Sequence, residues 1–407
     1  MVGASLFICY GYSMPTYEKI NGAVSLASNS PGIPTGYGQQ SYQLLERMLR
    51  HGIKVAALSN YGLQGQKDTI KIGDTRIPHY PTGLTAHSHD VMPIWAREFA
   101  AQHPDLKHVL FTLYDVWVYN QMKYDGPIVS WVPLDHITLP PGVREFISRE
   151  NVTPVTMSPH GKRQLDAVGI DNVYIPHGID TKTYKPTETV QGVKTRKYMN
   201  VPEDAFLVGM VAANKANGQV HRKAYAENLL AFALHLKKYP NSYLYIHTDP
   251  SRAYGGFDLS VLLPMVGIPK ENVLLPDPVL FRTGYPQKDL AGFYTAFDVM
   301  LTTSYGEGFG IPTVEAQACG TRVITSNFAA SADLASEDSW KVNGQAFWDE
   351  PQASFFMIPS VNGIVNALEE AYDKRGHSDV AVEFAKQFDA DKVFNESWLP
   401  FLKDLFK

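Results

Sequence analysis

Two carboxylates frame the segment SYGEGFGIPTVEAQACGTRVITS, residues 304–326. Glu307 stands among Gly306, Gly308 and Gly310, and Glu315 follows eight positions later, about one turn into a short helical run. Pro312 suits the first turn of that helix, because its missing N–H would be unpaired there in any case. Phe309, Gly310 and Ile311 supply no Ser, Thr, Asp or Asn to cap it, so its first N–H groups are left for something else. A phosphate or a sugar oxygen suits such a helix start, and the positive end of the dipole favours an anion. Glycines at 308 and 310 let a ligand approach the backbone closely. The spacing lets the two acids flank one extended ligand at different points; it is not that of the paired acids of a hydrolase. A tight strand–helix turn with two solvated acids accounts for the glycines alone about as well, since a lone Gly-rich loop is a weak signal.

The elements that would position these residues follow a repeated strand–helix–strand order. In the first half, strands are expected at 23–28, 54–59, 108–114, 127–134, 152–158 and 172–178, with a helix over QQSYQLLERMLRHG that stops at Gly52. The stretch 183–204 is polar and Pro-containing, with little apolar periodicity, and reads as a linker. The second half restarts with strands at 206–212, 242–248, 273–276, 298–304 and 322–326, and helices over AYAENLLAFALHLKKYP and QKDLAGFYTAF. Alternation of this kind predicts two doubly wound α/β domains with parallel sheets. Ligands of such sheets sit beyond the C-terminal strand ends, and two sheets facing each other make a cleft. The expected division is 1–190, 191–385 and a C-terminal helix within 386–407.

A chain of 407 residues is too long for one ordinary core, in keeping with two domains. Its net charge of −5, from 36 basic and 41 acidic residues, does not favour a nucleic-acid partner. Cys9 and Cys319 have no metal-ligand spacing, so a cytoplasmic protein without a disulfide framework is expected. No apolar run of about 18 residues predicts a membrane span. Residues 1–22 are apolar but lack a basic start, and read as an extra edge strand or an extension rather than a signal peptide. His87 and His89 in HSHD lack a third ligand at any metal-binding spacing, so two solvated histidines in a loop are expected and no metal site is.

The segment EGFGIPTVEAQACGTRVI closely resembles the E-x7-E signature of glycosyltransferase family 4, retaining enzymes of the GT-B fold with two Rossmann-like domains. The preceding NVLLPDPV…LAGFYTAFDVMLTTS, the interdomain NVYIPHGIDTKTYKP and the glycine loop and helix PTGYGQQSYQLLERMLRHGIKV are similar to the family as well, so the resemblance covers about residues 23 to 375.

What the resemblance implies is specific. Glu307 would contact hydroxyls of the donor sugar, and Glu315 the ribose hydroxyls, a vicinal diol that a carboxylate can accept from twice. The N–H groups of Phe309 and Gly310, beside Gly308, would hold sugar and diphosphate. Lys223, with Arg222 beside it, matches a lysine that opens the helix after strand 206–212. A cation there is disfavoured by the dipole unless an anion is present. Asn214 occupies the place of a family arginine, so Lys215 or Arg222 would supply that charge. Gly36 and Gly38 would approach the donor phosphate or the acceptor, or else form an ordinary βα turn. Where the family often has a histidine after strand 127–134, the nearest residues here are Asp135 and His136, with Asp135 favoured at the sugar's far end. YDVW (114–117) and SPHG (158–161) also end strands on the cleft side, Ser158 as a structural turn.

The implied reaction is transfer of a hexose from a nucleotide diphosphate sugar to an acceptor hydroxyl, with retention and without a bound metal. No resident cofactor is implied, and the acceptor side belongs to the N-terminal half. Two other readings stay open: a GT-B sugar-nucleotide epimerase, which needs acids or bases around C2 of the sugar, and a non-catalytic nucleotide-sugar binding protein.

Overall fold

The computed structural model describes residues 17–216, 220–253 and 255–407. The expectation of an edge strand or extension at 1–22 therefore falls largely outside the described residues, as does Cys9.

The N-terminal sheet has eight strands: β1 (Ala23–Asn29), β2 (Lys54–Tyr61), β3 (Asp68–Ile72), β4 (Thr75–Tyr80), β5 (His108–Leu113), β6 (Ile128–Val132), β7 (Val152–Thr156) and β8 (Val173–Tyr174). Their order is β3-β4-β2-β1-β5-β6-β7-β8, and all pairs are parallel except the β3–β4 hairpin. β1, β5 and β6 read as nearly continuous apolar runs because helices cover both faces of the sheet. The helix Gly36–Arg50 turns Leu44, Leu45 and Met48 inward and ends on Arg47 and Arg50, whose charges suit the negative end of its dipole.

The polar stretch after β8 holds a small hairpin, β9 (Thr189–Val190) and β10 (Val193–Lys194). The second sheet is β11 (Phe206–Val211), β12 (Ser242–His247), β13 (Val273–Leu274), β14 (Val299–Thr302), β15 (Val323–Ser326) and β16 (Trp340–Val342). Its order is β13-β12-β11-β14-β15-β16, parallel throughout. A second hairpin, β17 (Gly344–Asp349) with β18 (Ser354–Pro359), lies outside this sheet. Both large sheets reverse direction beside their central strand, at β1/β5 and at β11/β14. Crevices at such reversals are where open α/β sheets take ligands.

One apolar core runs through both halves, joining Trp131, Met157 and Ile179 to Phe309, Val314, Phe388 and Trp398. Two further clusters cover the outer faces of the two sheets. The C-terminal segment lies on the N-terminal sheet: Trp398 packs edge-on to Trp131 at 5.0 Å, Arg47 pairs with Asp391 at 2.7 Å, and Ile179 exchanges backbone hydrogen bonds with Phe388 and Ala390. Among the described residues, no helix is long and apolar enough to cross a membrane.

Candidate functional site

β14 runs into the Glu307 loop, and the loop opens the helix Ile311–Ala318. Gly310 precedes that helix at φ 109°, a left-handed conformation that favours glycine, and no side chain caps the helix start. Pro312 lies in the first turn, as its ring geometry requires.

Glu307 is buried, and two cations hold it. Arg222 donates to Glu307 Oε2 at 2.9 Å and to the Gly306 carbonyl at 2.8 Å, and Lys223 Nζ donates to Glu307 Oε1. Burial works against the carboxylate's charge, but Lys223 and Arg222 together hold Glu307 well below the usual carboxylate range. Burial and the Arg222 charge pull the Lys223 ammonium below its ordinary value. Lys223 does not open a helix as expected; Tyr225 does, after Ala224 in a left-handed conformation at φ 51°. That turn, anchored by Tyr305 N–H on the Arg222 carbonyl at 2.7 Å, aims both cations at the Glu307 loop. The anion that a cation in this place needs is Glu307 itself.

The N-terminal half meets this loop directly. A Cβ at Gly308 would lie 2.4 Å from Pro133 Cβ, and one at Gly306 would lie 2.1 Å from the Asp135 carbonyl. The expectation that Gly308 admits a ligand is therefore corrected: it admits the end of β6. The Phe309 ring is likewise part of the shared core, edge-on to His177 at 5.1 Å.

Asp135 and His136 both reach the site, and they act together. His136 bonds Asp135 Oδ1 through Nδ1 at 2.7 Å and Asp349 Oδ2 through Nε2 at 3.0 Å, and its ring stacks on Phe356 with centroids 3.7 Å apart. Burial opposes its charge, yet Asp135 and Asp349 hold His136 above its ordinary value. Asp135 loses to burial but gains from His136 and Arg222, and stays below the usual carboxylate range. Asp349 and Phe356 come from the β17–β18 hairpin, which pairs across the cleft: Ile137 and Phe355 exchange both backbone hydrogen bonds at 2.9 Å.

Other expected residues land differently. Asn214 gives its side-chain amide to the carbonyls of Asp249, Ser251 and Phe257 and accepts from Phe257 N–H, so it clamps a loop rather than waiting for a donor. Lys215 is exposed, and Arg222 occupies the centre of the site. Gly38 N–H is taken by the Thr35 hydroxyl, and a Cβ there would meet the Ile33 and Ser30 carbonyls, which makes it a βα turn glycine. Gly36 stands against Ile311, so the glycine loop faces the helix of Glu315. Ser158 caps the N–H of Gly161.

Glu315 points into the protein rather than along an open groove. It is 5% exposed, accepts from Tyr294 Oη at 2.9 Å, and burial pushes its carboxyl up to about 7 against the help of Tyr294. His87 packs near Tyr114 and Trp117, and among the described residues no group of three His, Cys, Asp or Glu stands close enough to hold a metal ion. Asp349 had no signal as a site residue; Tyr37 had only its place at the start of the helix after the glycine loop, and Tyr114 and Asp115 theirs at the end of β5.

Comparison with known proteins bears on this geometry. Residues 269–354 match the family described as Glycosyl transferases group 1. A D-inositol 3-phosphate glycosyltransferase of Corynebacterium jeikeium is 29% identical over 154 residues, 37% of this chain and 34% of that protein. One of Streptomyces bingchenggensis is 35% identical over 80 residues, 16% and 18% of the two chains. The chain thus spans about a third or less of the length of the curated relatives it matches.

Among solved structures, the sucrose-phosphate synthase of Thermosynechococcus elongatus superposes with a TM-score of 0.70 at 16% identity, covering 95% of this chain and 99% of that one. A trehalose-6-phosphate structure from E. coli bound with UDP-2-fluoro glucose gives 0.63 at 13% identity, covering 94% and 99%. An α,α-trehalose-phosphate synthase (UDP-forming) of Burkholderia xenovorans in complex with glucose-6-phosphate gives 0.63 at 13%, covering 94% and 100%. These likenesses show the fold: the chain has the GT-B architecture, two Rossmann-like domains across a cleft.

Proposed function

We propose that the chain is a retaining glycosyltransferase that moves a hexose from a nucleotide diphosphate sugar to an acceptor hydroxyl. The observation that carries the reading is the pairing of Arg222 and Lys223 with Glu307 immediately before an uncapped helix start. Two cations and a set of helix N–H groups then converge where a diphosphate would develop charge. The family match over 269–354 and the relatives' names support it.

In this reading the bond between the anomeric carbon and the phosphate oxygen breaks, and its electron pair stays on that oxygen. Lys223, Arg222 and the N–H groups at Phe309 and Gly310 stabilise the charge as it grows. The acceptor oxygen bonds to the anomeric carbon on the same face, and its proton passes to the leaving phosphate oxygen. Glu307, already anionic, orients sugar hydroxyls, and Asp135, held by His136, meets the sugar's far end. Glu315 receives the ribose hydroxyls once the Tyr294 hydrogen bond is exchanged. The chain's own cations neutralise the diphosphate, and the partners are a nucleotide-sugar donor and a hydroxyl acceptor, not nucleic acid.

A thermal-shift screen of UDP-, GDP- and ADP-sugars tests this. One of them is expected to raise the melting temperature by several degrees, since a ligand of the folded state alone stabilises it. No shift with any nucleotide or nucleotide sugar would overturn the reading.

A further inference from the structure

The N-terminal wall of the cleft differs in chemistry from the wall opposite. Tyr37 and Tyr114 pack with ring centroids 5.7 Å apart, and His87 extends the row, 5.8 Å from Tyr114 and 6.3 Å from Trp117. Trp117 is 41% exposed and the other three rings are partly exposed, so the row presents ring surface rather than closing on itself. Asp115 follows Tyr114 at the end of β5, and Asp135 stands at the end of the neighbouring β6. Burial and the Asp135 charge push the Asp115 carboxyl up, while Arg222 and Lys215 draw it down.

The sign of charge on this wall is the informative feature. The cations acting on Asp115 are Arg222 and Lys215, both from the opposite half, and Arg222 is already shared with Glu307. Arg163 and Lys162, beyond the end of β7, are held by Asp333 and Asp166. The undescribed residues 1–16, 217–219 and 254 contain no Lys or Arg. A phosphorylated acceptor placed here would bring a second anion toward Asp115, whereas Asp135 is already paired with His136. A sugar or polyol ring would instead lay its C–H face on the aromatic row and donate hydroxyls to Asp115, which can accept two hydrogen bonds from one diol.

Resting on the glycosyltransferase reading, we infer that the acceptor is an uncharged saccharide or polyol, seated on Tyr37, Tyr114, His87 and Trp117 with a hydroxyl on Asp115, and that phosphorylated acceptors are rejected. This sets the chain apart from relatives named for D-inositol 3-phosphate and from the neighbour that holds glucose-6-phosphate.

The experiment uses the full chain with whichever nucleotide sugar stabilises it. Nucleotide release is followed with paired acceptors: glucose against glucose-6-phosphate, fructose against fructose-6-phosphate, and inositol against inositol 3-phosphate. At least one uncharged member is expected to exceed its phosphorylated partner by about 100-fold or more in kcat/KM, the scale of a like-charge clash. Asp115→Asn is expected to narrow that ratio by about tenfold or more while the nucleotide-sugar shift in melting temperature is kept. Preference for the phosphorylated member, equal use of both, or transfer to neither across all pairs would overturn the inference. In each of those cases donor binding persists, whereas failure of the underlying reading would appear as the absence of any nucleotide-sugar shift.

Discussion

Glu315 sits in surroundings that oppose its charge. Its carboxyl is pushed up to about 7 from 4.5, so ionising it in place costs on the order of 3 kcal/mol. Because the folded value is raised, this stability is fully present below about pH 4.5 and is lost as pH rises through about 7. Glu315→Gln keeps an oxygen for the Tyr294 hydroxyl and removes the titration. The variant is expected to melt several degrees above the wild type at pH 8 and level with it at pH 5. Equal melting at both would mean that the carboxyl ionises without penalty. The same burial makes Glu315 suited to a diol: two hydroxyls would replace one tyrosine and favour the charged form. Asn214 teaches the opposite lesson. Its position invited a donor role, but its amide is used up by three backbone carbonyls, and the charge comes from Arg222 across the loop.

At the scale of elements, the β17–β18 hairpin matters most, because it carries Asp349 to His136 and pairs Phe355 with Ile137. His136 bonds a carboxylate with each ring nitrogen and is held above its ordinary value, so its contribution is complete at low pH and is lost as pH rises through its folded value. Amide exchange at Ile137 and Phe355, corrected for intrinsic rates, is therefore expected to quicken as pH rises through the folded value of His136. In Asp349→Asn the quickening is expected to set in at a lower pH than in the wild type, because one of the two carboxylates holding the imidazolium is gone. Exchange indifferent to both pH and the substitution would show that the ion triad does not hold the hairpin.

This hairpin was legible in principle: QAFWD and SFFMI are strand-like runs around the turn segment EPQA. What no local pattern carries is its partner, a loop some 200 positions earlier in the chain. The β3–β4 hairpin has the same character, two β-rich runs about a Gly-Asp turn, IKIGDTRI. The central strands and the Gly310–Pro312 helix start could be read directly, because burial on both faces and missing caps leave marks in adjacent residues. Gly308 could not, since the atom that requires it, Pro133 Cβ, belongs to the other half.

At the scale of the whole molecule, the two sheets place their direction reversals opposite each other. Arg222 and Lys223 gather with Glu307 on one wall of the cleft, and the aromatic row with Asp115, Asp135 and His136 lies on the other. The shared core through Phe309, Phe388 and Trp398 holds the halves together behind the cleft, and the hairpin and the Arg163–Asp333 pair, 2.9 Å apart, join them around it. Catalysis in such a frame rests on charges fixed in place before the leaving group develops its own. Lys223 is the most direct probe, because among the described residues its side chain bonds Glu307 alone, and it stands two residues outside the following helix. The decisive measurement is nucleotide release by Lys223→Ala under saturating donor and acceptor, beside its thermal shift with the same donor. A loss of about 100-fold or more in kcat with the shift retained is expected; turnover near that of the wild type would contradict the assignment of the Lys223–Arg222 pair to the leaving pyrophosphate.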